Sequence, residues 1–129
     1  ILFVLPTAAM VSKNIFNKAF NKYKKNKPEL LMSCKQFQNT PYWAMFLKKS
    51  GYLNSIFPKK VLKNSQDLDK LYYDAGLFYF FNINNIKKYN DFKNTKKILL
   101  FFVNDETDGI DIDTYQDWER FKKIFSSKL

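Results

Sequence analysis

This chain has 129 residues, of which 46% are hydrophobic and 19% aromatic, and it carries a formal net charge of +10 with no histidine and one cysteine. Such a length and composition predict one folded domain with a sizeable core and exclude a disordered tail. The charge comes almost wholly from lysines scattered along the sequence, so it does not by itself indicate a nucleic-acid partner.

The chain opens with the apolar stretch ILFVLPTAAMV, which is too short to span a bilayer and lacks the basic start of a signal peptide. We expect a buried parallel strand over residues 2–5 that ends at Pro6. Ser12 is suited to cap a helix over residues 13–25. One face of that helix is apolar and predicts a core contact; its residues are Ile15, Phe16, Ala19, Phe20 and Tyr23.

The next predicted strand, over residues 30–36, contains the lone cysteine, Cys34, in the apolar run LLMSC. Because the sequence has no histidine to activate it, we expect a buried structural thiol rather than a nucleophile. Since no export signal is visible, a cytoplasmic location and no membrane partner are expected.

The middle of the chain predicts a β-hairpin over residues 43–57, in which Ser50 and Gly51 separate two β-rich runs. The remaining predicted elements are strands over residues 76–81, 98–103 and 109–112 and helices over residues 83–90 and 115–127.

Two carboxylates, Asp111 and Asp113, stand two positions apart at the end of the last predicted strand, in the segment DGIDIDTYQDWER. Side chains at i and i+2 of a strand share one face, so the two carboxylates can converge on one divalent cation. Thr114 is suited to cap the following helix, with Asp117 as its capping-box partner. The alternative is that the two acids only favour the helix start or face water.

Two longer segments carry a family resemblance: SQDLDKLYYDAGLFYF over residues 65–80 and DIDTYQDW over residues 111–118. In order and spacing they resemble the acylneuraminate cytidylyltransferase family, closest to its pseudaminic acid branch. The stretch VLPTAAMVS near the start is a weaker match. Leu5, Ala9, Asn64 and Leu77 depart from the family pattern, which leaves the exact sugar open.

The resemblance implies an α/β fold, a nucleotide-diphospho-sugar transferase-like (Rossmann-like) three-layer sheet with a β-hairpin insertion. The family begins with a glycine-rich phosphate-binding loop, but Gly51, Gly76 and Gly109 are the only glycines here and none forms a GxG pattern. We therefore expect residues 1–129 to be the C-terminal part of a single cytidylyltransferase domain, without the N-terminal nucleotide-binding half.

The function implied by the resemblance is transfer of CMP from CTP to the anomeric hydroxyl of a nine-carbon acidic sugar, with release of pyrophosphate. Asp111 and Asp113 would be the catalytic residues and the ligands of Mg²⁺, and this chain alone is expected to be inactive. The substrate-binding residues implied are Thr7, Ser65, Gln66, Asp74, Gly76 and Tyr79. The alternatives are that Asp74 orders its loop, that Gly76 relieves a tight turn and that Tyr79 belongs to an ordinary buried strand.

The resemblance also implies a homodimer of the full-length protein, built partly by the hairpin region; the alternative for that region is a simple surface hairpin. Two other functions stay open on the sequence alone. One is a non-catalytic, Lys-rich nucleic-acid-binding module, and the other is a related sugar nucleotidyltransferase that uses another sugar or base.

Overall fold

The computed structural model describes residues 1–89, 95–104 and 108–127. Its strands are β1 (Leu2–Val4), β2 (Ala8–Ala9), β3 (Leu30–Gln36), β4 (Met45–Leu47), β5 (Leu53–Ser55), β6 (Tyr72–Phe81), β7 (Ile98–Phe102) and β8 (Ile110–Asp111). Its helices are α1 (Lys13–Asn26), α2 (Ile83–Tyr89) and α3 (Tyr115–Ser126). Two compact units form: unit 1 contains Ile1–Lys35 and the chain from Asp74 onward, and unit 2 is Gln36–Tyr73.

The main sheet has four strands in the order β1-β6-β3-β7. β1 pairs antiparallel with β6, whereas β3 and β7 run parallel, so the sheet is mixed. A mixed sheet with helices confirms an α/β fold at that coarse level. The finer assignment to the Rossmann-like nucleotidyltransferase class stays a prediction.

Helix α1 packs on the main sheet through its aromatic face. The Phe16 and Phe78 rings lie 5.2 Å apart, and the Phe20 and Tyr23 rings lie 5.7 and 5.9 Å from that of Phe80. The predicted core stripe is confirmed for Ile15, Phe16, Ala19 and Tyr23, whereas Phe20 is 45% exposed. The predicted cap is present, since Ser12 Oγ accepts from the Ile15 N–H. The fully buried apolar side chains of unit 1 include Ala19, Leu31, Leu77 and Phe78.

The prediction for the first strand was wrong in two respects. β1 is antiparallel to β6, and its side chains Leu2, Phe3 and Val4 are 40–46% exposed. The physical reason is its position, because an edge strand pairs on one side only and an unbroken apolar run does not reveal that position.

The bounds of other strands also differ from the predicted ones, because they depend on pairing with distant strands. β6 begins at Tyr72 rather than at residue 76, and the last predicted strand shortens to β8, which pairs with the unpredicted strand β2. The predicted helix over residues 83–90 is seen to Tyr89, and residue 90 lies outside the described residues. Within the described ranges, none of the helices has the length and apolarity needed to cross a membrane.

Unit 2 contains the predicted hairpin, with β4 and β5 paired antiparallel. The turn between them places Gly51 at φ +85°, a left-handed conformation that glycine adopts at little cost. Two short 3₁₀ turns, Pro41–Trp43 and Ser65–Asp67, flank the hairpin in sequence and were not predicted.

Candidate active site

Strand β8 brings Asp111 beside the turn that follows β1. Asp111 pairs with Ala8 across the two-stranded β2–β8 ladder, and the Ile112 N–H donates to the Thr7 carbonyl at 3.1 Å. Two predicted site residues, Thr7 and Asp111, therefore lie next to one another although they are distant in sequence.

The carboxylate of Asp111 lies against Gly76 of the DAG segment. A Cβ at position 76 would lie 3.1 Å from Asp111 Cγ and would collide with the nearer carboxylate oxygen, Oδ2. Gly76 also has φ +66°, in the left-handed region. Glycine is therefore required twice at this position, for its backbone conformation and for the space that Asp111 occupies.

The other oxygen of that carboxylate, Asp111 Oδ1, is buried and has no hydrogen-bond partner within the part of the chain that the structure describes. A buried polar atom of this kind is costly unless something compensates it, and a buried carboxylate oxygen is compensated best by a cation or a donor. This oxygen is the strongest structural indication of a ligand site in unit 1.

Asp74 and Tyr79 form a hydrogen-bonded pair on β6. The Tyr79 hydroxyl donates to Asp74 Oδ2 at 2.5 Å, and the Gly76 N–H donates to Asp74 Oδ1 at 3.0 Å. Burial first, then the bond to Asp74 and the negative charges of Asp74 and Asp111, raise the pKa of Tyr79 far above its ordinary value. The phenol therefore stays protonated above the pH at which an ordinary tyrosine ionises.

Phe3 joins this group through the antiparallel register of β1 and β6, in which it pairs with Tyr79. Their rings lie 6.1 Å apart. The sequence analysis missed Phe3, because only the pairing of two distant strands reveals it and no local signal marks it.

Asp113 differs from Asp111 in its surroundings. It is exposed and follows the end of β8, so the strand alternation behind the same-face prediction does not extend to it. Among the described residues, no group of three or more His, Cys, Asp or Glu side chains could hold a metal ion. Metal binding by the Asp111 and Asp113 pair stays a prediction.

The capping box after this pair is confirmed. Thr114 Oγ1 accepts from the Asp117 N–H at 3.2 Å, and Asp117 Oδ2 accepts from the Thr114 N–H at 2.9 Å. The bonds from the Thr114 side chain and backbone lower the pKa of Asp117. This acid therefore orders the start of α3.

The remaining predicted substrate residues, Ser65 and Gln66, lie in unit 2 on the 3₁₀ turn Ser65–Asp67 and are exposed. Ser65 borders a small cavity of about 150 Å³ within that unit. Thr7, Asp74, Gly76 and Tyr79 lie with both aspartates in unit 1. The structure brings Thr7 and Gly76 to Asp111, and Asp74 bonds both Gly76 and Tyr79.

Cys34 is buried, as predicted, and burial followed by the nearby Asp74 charge raises the pKa of its thiol to about 11. A thiol held protonated in this way is a poor nucleophile. Burial and a raised pKa are what a structural thiol would show.

No family model matches the chain. Two curated relatives are both named pseudaminic acid cytidylyltransferase and come from Campylobacter jejuni subsp. jejuni, serotypes O:23/36 (strain 81-176) and O:2 (strain ATCC 700819 / NCTC 11168). They are 34% and 32% identical to this chain over 74 residues, which is 57% of the chain and 32% of each relative. The chain thus spans about a third of the length of the curated relatives it matches. These matches confirm the resemblance seen in the motifs: this chain resembles the acylneuraminate cytidylyltransferase family, and specifically pseudaminic acid cytidylyltransferases.

Proposed function

We propose that this chain forms part of a metal-dependent cytidylyltransferase. The enzyme would transfer CMP from CTP to the anomeric hydroxyl of a nine-carbon acidic sugar, pseudaminic acid or a similar sugar, and release pyrophosphate. The observation that carries the proposal is the buried, unpartnered Asp111 oxygen, described above, beside Gly76 of the DAG segment. The similarity to enzymes named pseudaminic acid cytidylyltransferase supports the choice of base and sugar.

The surroundings of Asp111 fit a magnesium ion. Mg²⁺ prefers oxygen ligands and is usually held by one or two carboxylates together with substrate phosphates. Asp111 Oδ1 is such an oxygen, and Asp113, which is exposed two residues later, would supply the second carboxylate. When bound, the ion would stabilise negative charge that develops on the α-phosphate of CTP.

The other residues of unit 1 would orient the sugar. Tyr79 offers a phenol hydroxyl, which is neutral at physiological pH and does not repel an acidic sugar as a phenolate would. Gly76 would let the Asp111 carboxylate lie close to the backbone of the site, and Thr7 would border the site beside Asp111. Substrate binding by Ser65 and Gln66, which lie in unit 2, stays a prediction from the sequence.

A proton must leave the anomeric hydroxyl as it attacks the α-phosphate. The sequence has no histidine, so a carboxylate is the base that these residues can offer. One of the two aspartates, Asp111 or Asp113, would accept this proton through an oxygen that does not bind the ion.

We propose that the full-length protein is a cytoplasmic homodimer that uses the hairpin β4–β5 as part of its contact surface. Met45, Phe46, Leu47 and Leu53 are exposed there, on both faces of a two-stranded ribbon. An isolated two-stranded hairpin gains stability from packing, and an exposed apolar surface of this kind marks an interaction site.

The activity can be tested with the protein encoded by the complete gene, by measuring pyrophosphate release with Mg²⁺. We expect release with CTP and pseudaminic acid, and much slower release with UTP or with neuraminic or legionaminic acid. Equal rates with CTP and UTP would overturn the base assignment, and faster turnover of another acidic sugar would overturn the sugar assignment. Salt-sensitive retention on heparin without any pyrophosphate release would favour the nucleic-acid alternative.

A further inference from the structure

Asp74 engages two different parts of the candidate site with one carboxylate. Its Oδ2 accepts from the Tyr79 hydroxyl at 2.5 Å, and its Oδ1 accepts from the Gly76 N–H at 3.0 Å. Hydrogen bonds to an ionised carboxylate are shorter and stronger than bonds between neutral groups. One side chain thus connects the phenol and the glycine backbone.

The bond to Gly76 spans two residues and is the Asx-turn pattern that aspartate side chains commonly form. Here it orders a backbone with φ +66° at Gly76. The two neighbours of Gly76 are held in the core, since Ala75 and Leu77 are only 4% and 0% exposed. Asp74 itself is exposed, so the core does not require this carboxylate.

The turn at Gly76 determines where Asp111 can lie, because the Asp111 carboxylate occupies the space that a side chain at Gly76 would fill. A change in the turn would therefore move the backbone against which Asp111 packs. The same Asp74 carboxylate also fixes the direction of the Tyr79 hydroxyl. Asp74 therefore links the position of the Tyr79 phenol to that of the Asp111 carboxylate, the proposed metal ligand.

We propose that Asp74 is a positioning residue, which fixes the Tyr79 hydroxyl and the Gly76 turn relative to Asp111 without touching the substrate itself. This inference deepens the proposed function and rests on it for its kinetic readout. It refines the expectation that Asp74 binds substrate directly.

The test uses Asp74→Asn, Tyr79→Phe and the double variant in the protein encoded by the complete gene. Asparagine keeps the size of the side chain and one acceptor oxygen, but it loses the charge and cannot accept from both donors. We expect Asp74→Asn to lower kcat at least tenfold while KM for CTP stays within about twofold. The double variant should lose less than the sum of the two single losses, because both changes remove the bond between Asp74 and Tyr79.

A second readout is independent of activity. In Asp74→Asn, the Gly76 amide should exchange faster with solvent, and the Tyr79 phenol should titrate at a lower pH by NMR, since a negative neighbour has been removed. A role in stability alone would lower the melting temperature without changing the kcat of the folded enzyme.

Asp69→Asn is a matched control in unit 2. Asp69 also accepts from a tyrosine hydroxyl, that of Tyr42 at 3.5 Å, and it pairs with Lys60 at 3.2 Å. The same change of charge at this exposed pair should leave kcat within about twofold of wild type.

An unchanged kcat and an unchanged Gly76 exchange rate in Asp74→Asn would overturn the inference, as would fully additive losses in the double variant.

If Asp74→Asn fails to fold, Tyr79→Phe alone decides. This variant should lower kcat and leave CTP binding intact, and an unchanged kcat would overturn the inference. If the wild-type protein releases no pyrophosphate, the proposed function fails, whereas the exchange and titration data still decide the role of Asp74.

Discussion

Asp111 lies against Gly76 so closely that a Cβ at residue 76 would lie 3.1 Å from Asp111 Cγ. The two residues belong to β8 and β6, which lie in different sheets of the fold. This contact joins the two segments that carry the family resemblance.

Substitution Gly76→Ala should destabilise the protein and weaken metal binding. Alanine pays about 1–2 kcal/mol for the left-handed backbone, and its methyl group would also displace the Asp111 carboxylate. Gly51→Ala is the matched control, because Gly51 has φ +85° but nothing lies within 4 Å of the added carbon. Both variants should lose unfolding free energy in urea, and Gly76→Ala should lose more. Only Gly76→Ala should weaken the binding of Mn²⁺, the divalent ion used to probe the proposed Mg²⁺ site. Equal Mn²⁺ affinities of the two variants would contradict this account.

Ser33 provides a test of the core. It is fully buried, and its hydroxyl accepts from the Phe78 N–H at 3.1 Å. Ser33→Ala leaves that donor unsatisfied and should cost about 1–3 kcal/mol of unfolding free energy. Ser55 makes a similar bond to the Phe57 N–H at an exposed position, where water can replace it, so Ser55→Ala should cost less. A larger loss for Ser55→Ala would show that burial does not govern these bonds.

We expect the free energy of unfolding to fall at high pH because Cys34 is buried as a protonated thiol. Burial raises its thiol pKa from 9.0 to about 11 in the folded protein. The stabilisation is complete below pH 9.0 and is lost as the pH rises toward about 11, because the unfolded thiol ionises first. The urea midpoint should therefore fall less steeply with pH in Cys34→Ala than in wild type. Parallel pH profiles would show that the thiol is not held protonated, since the tyrosines are common to both proteins.

The hairpin surface can be tested by charge insertion. Leu53 is 62% exposed on β5, and Leu62 is 93% exposed outside the hairpin. In the protein encoded by the complete gene, Leu53→Lys should shift the species toward monomer by light scattering, because a charge opposes burial of the apolar hairpin. Leu62→Lys should leave the dimer intact. A monomeric wild type, or a dimer that Leu53→Lys does not affect, would refute the proposed contact surface.

Local signals in the sequence predicted local structure well. The Thr114 and Asp117 capping box depends on residues three apart, and the turn at Gly51 depends on a single permissive residue, so both could be predicted. The pairing of β1 with β6 and of β2 with β8 joins distant segments, for which one sequence carries no comparable signal.

In the candidate site, too, the local features could be predicted from the sequence, whereas the tertiary contacts could not. The motif indicated Asp111, but its contact with Gly76 and the burial of one oxygen depend on tertiary packing. The same-face relation of Asp111 and Asp113 was inferred from strand alternation, and β8 ends at Asp111 before that alternation reaches Asp113. The hydrogen bond between Asp74 and Tyr79 likewise depends on side-chain packing, which no sequence motif predicts.

The most direct test of the central claim is Mn²⁺ affinity and pyrophosphate release for Asp111→Asn in the protein encoded by the complete gene. Because the buried Oδ1 is the proposed metal ligand, we predict that Mn²⁺ binding is lost and that kcat falls at least 100-fold, while the melting temperature does not fall. An Asp111→Asn protein that binds Mn²⁺ and releases pyrophosphate as wild type does would contradict the account.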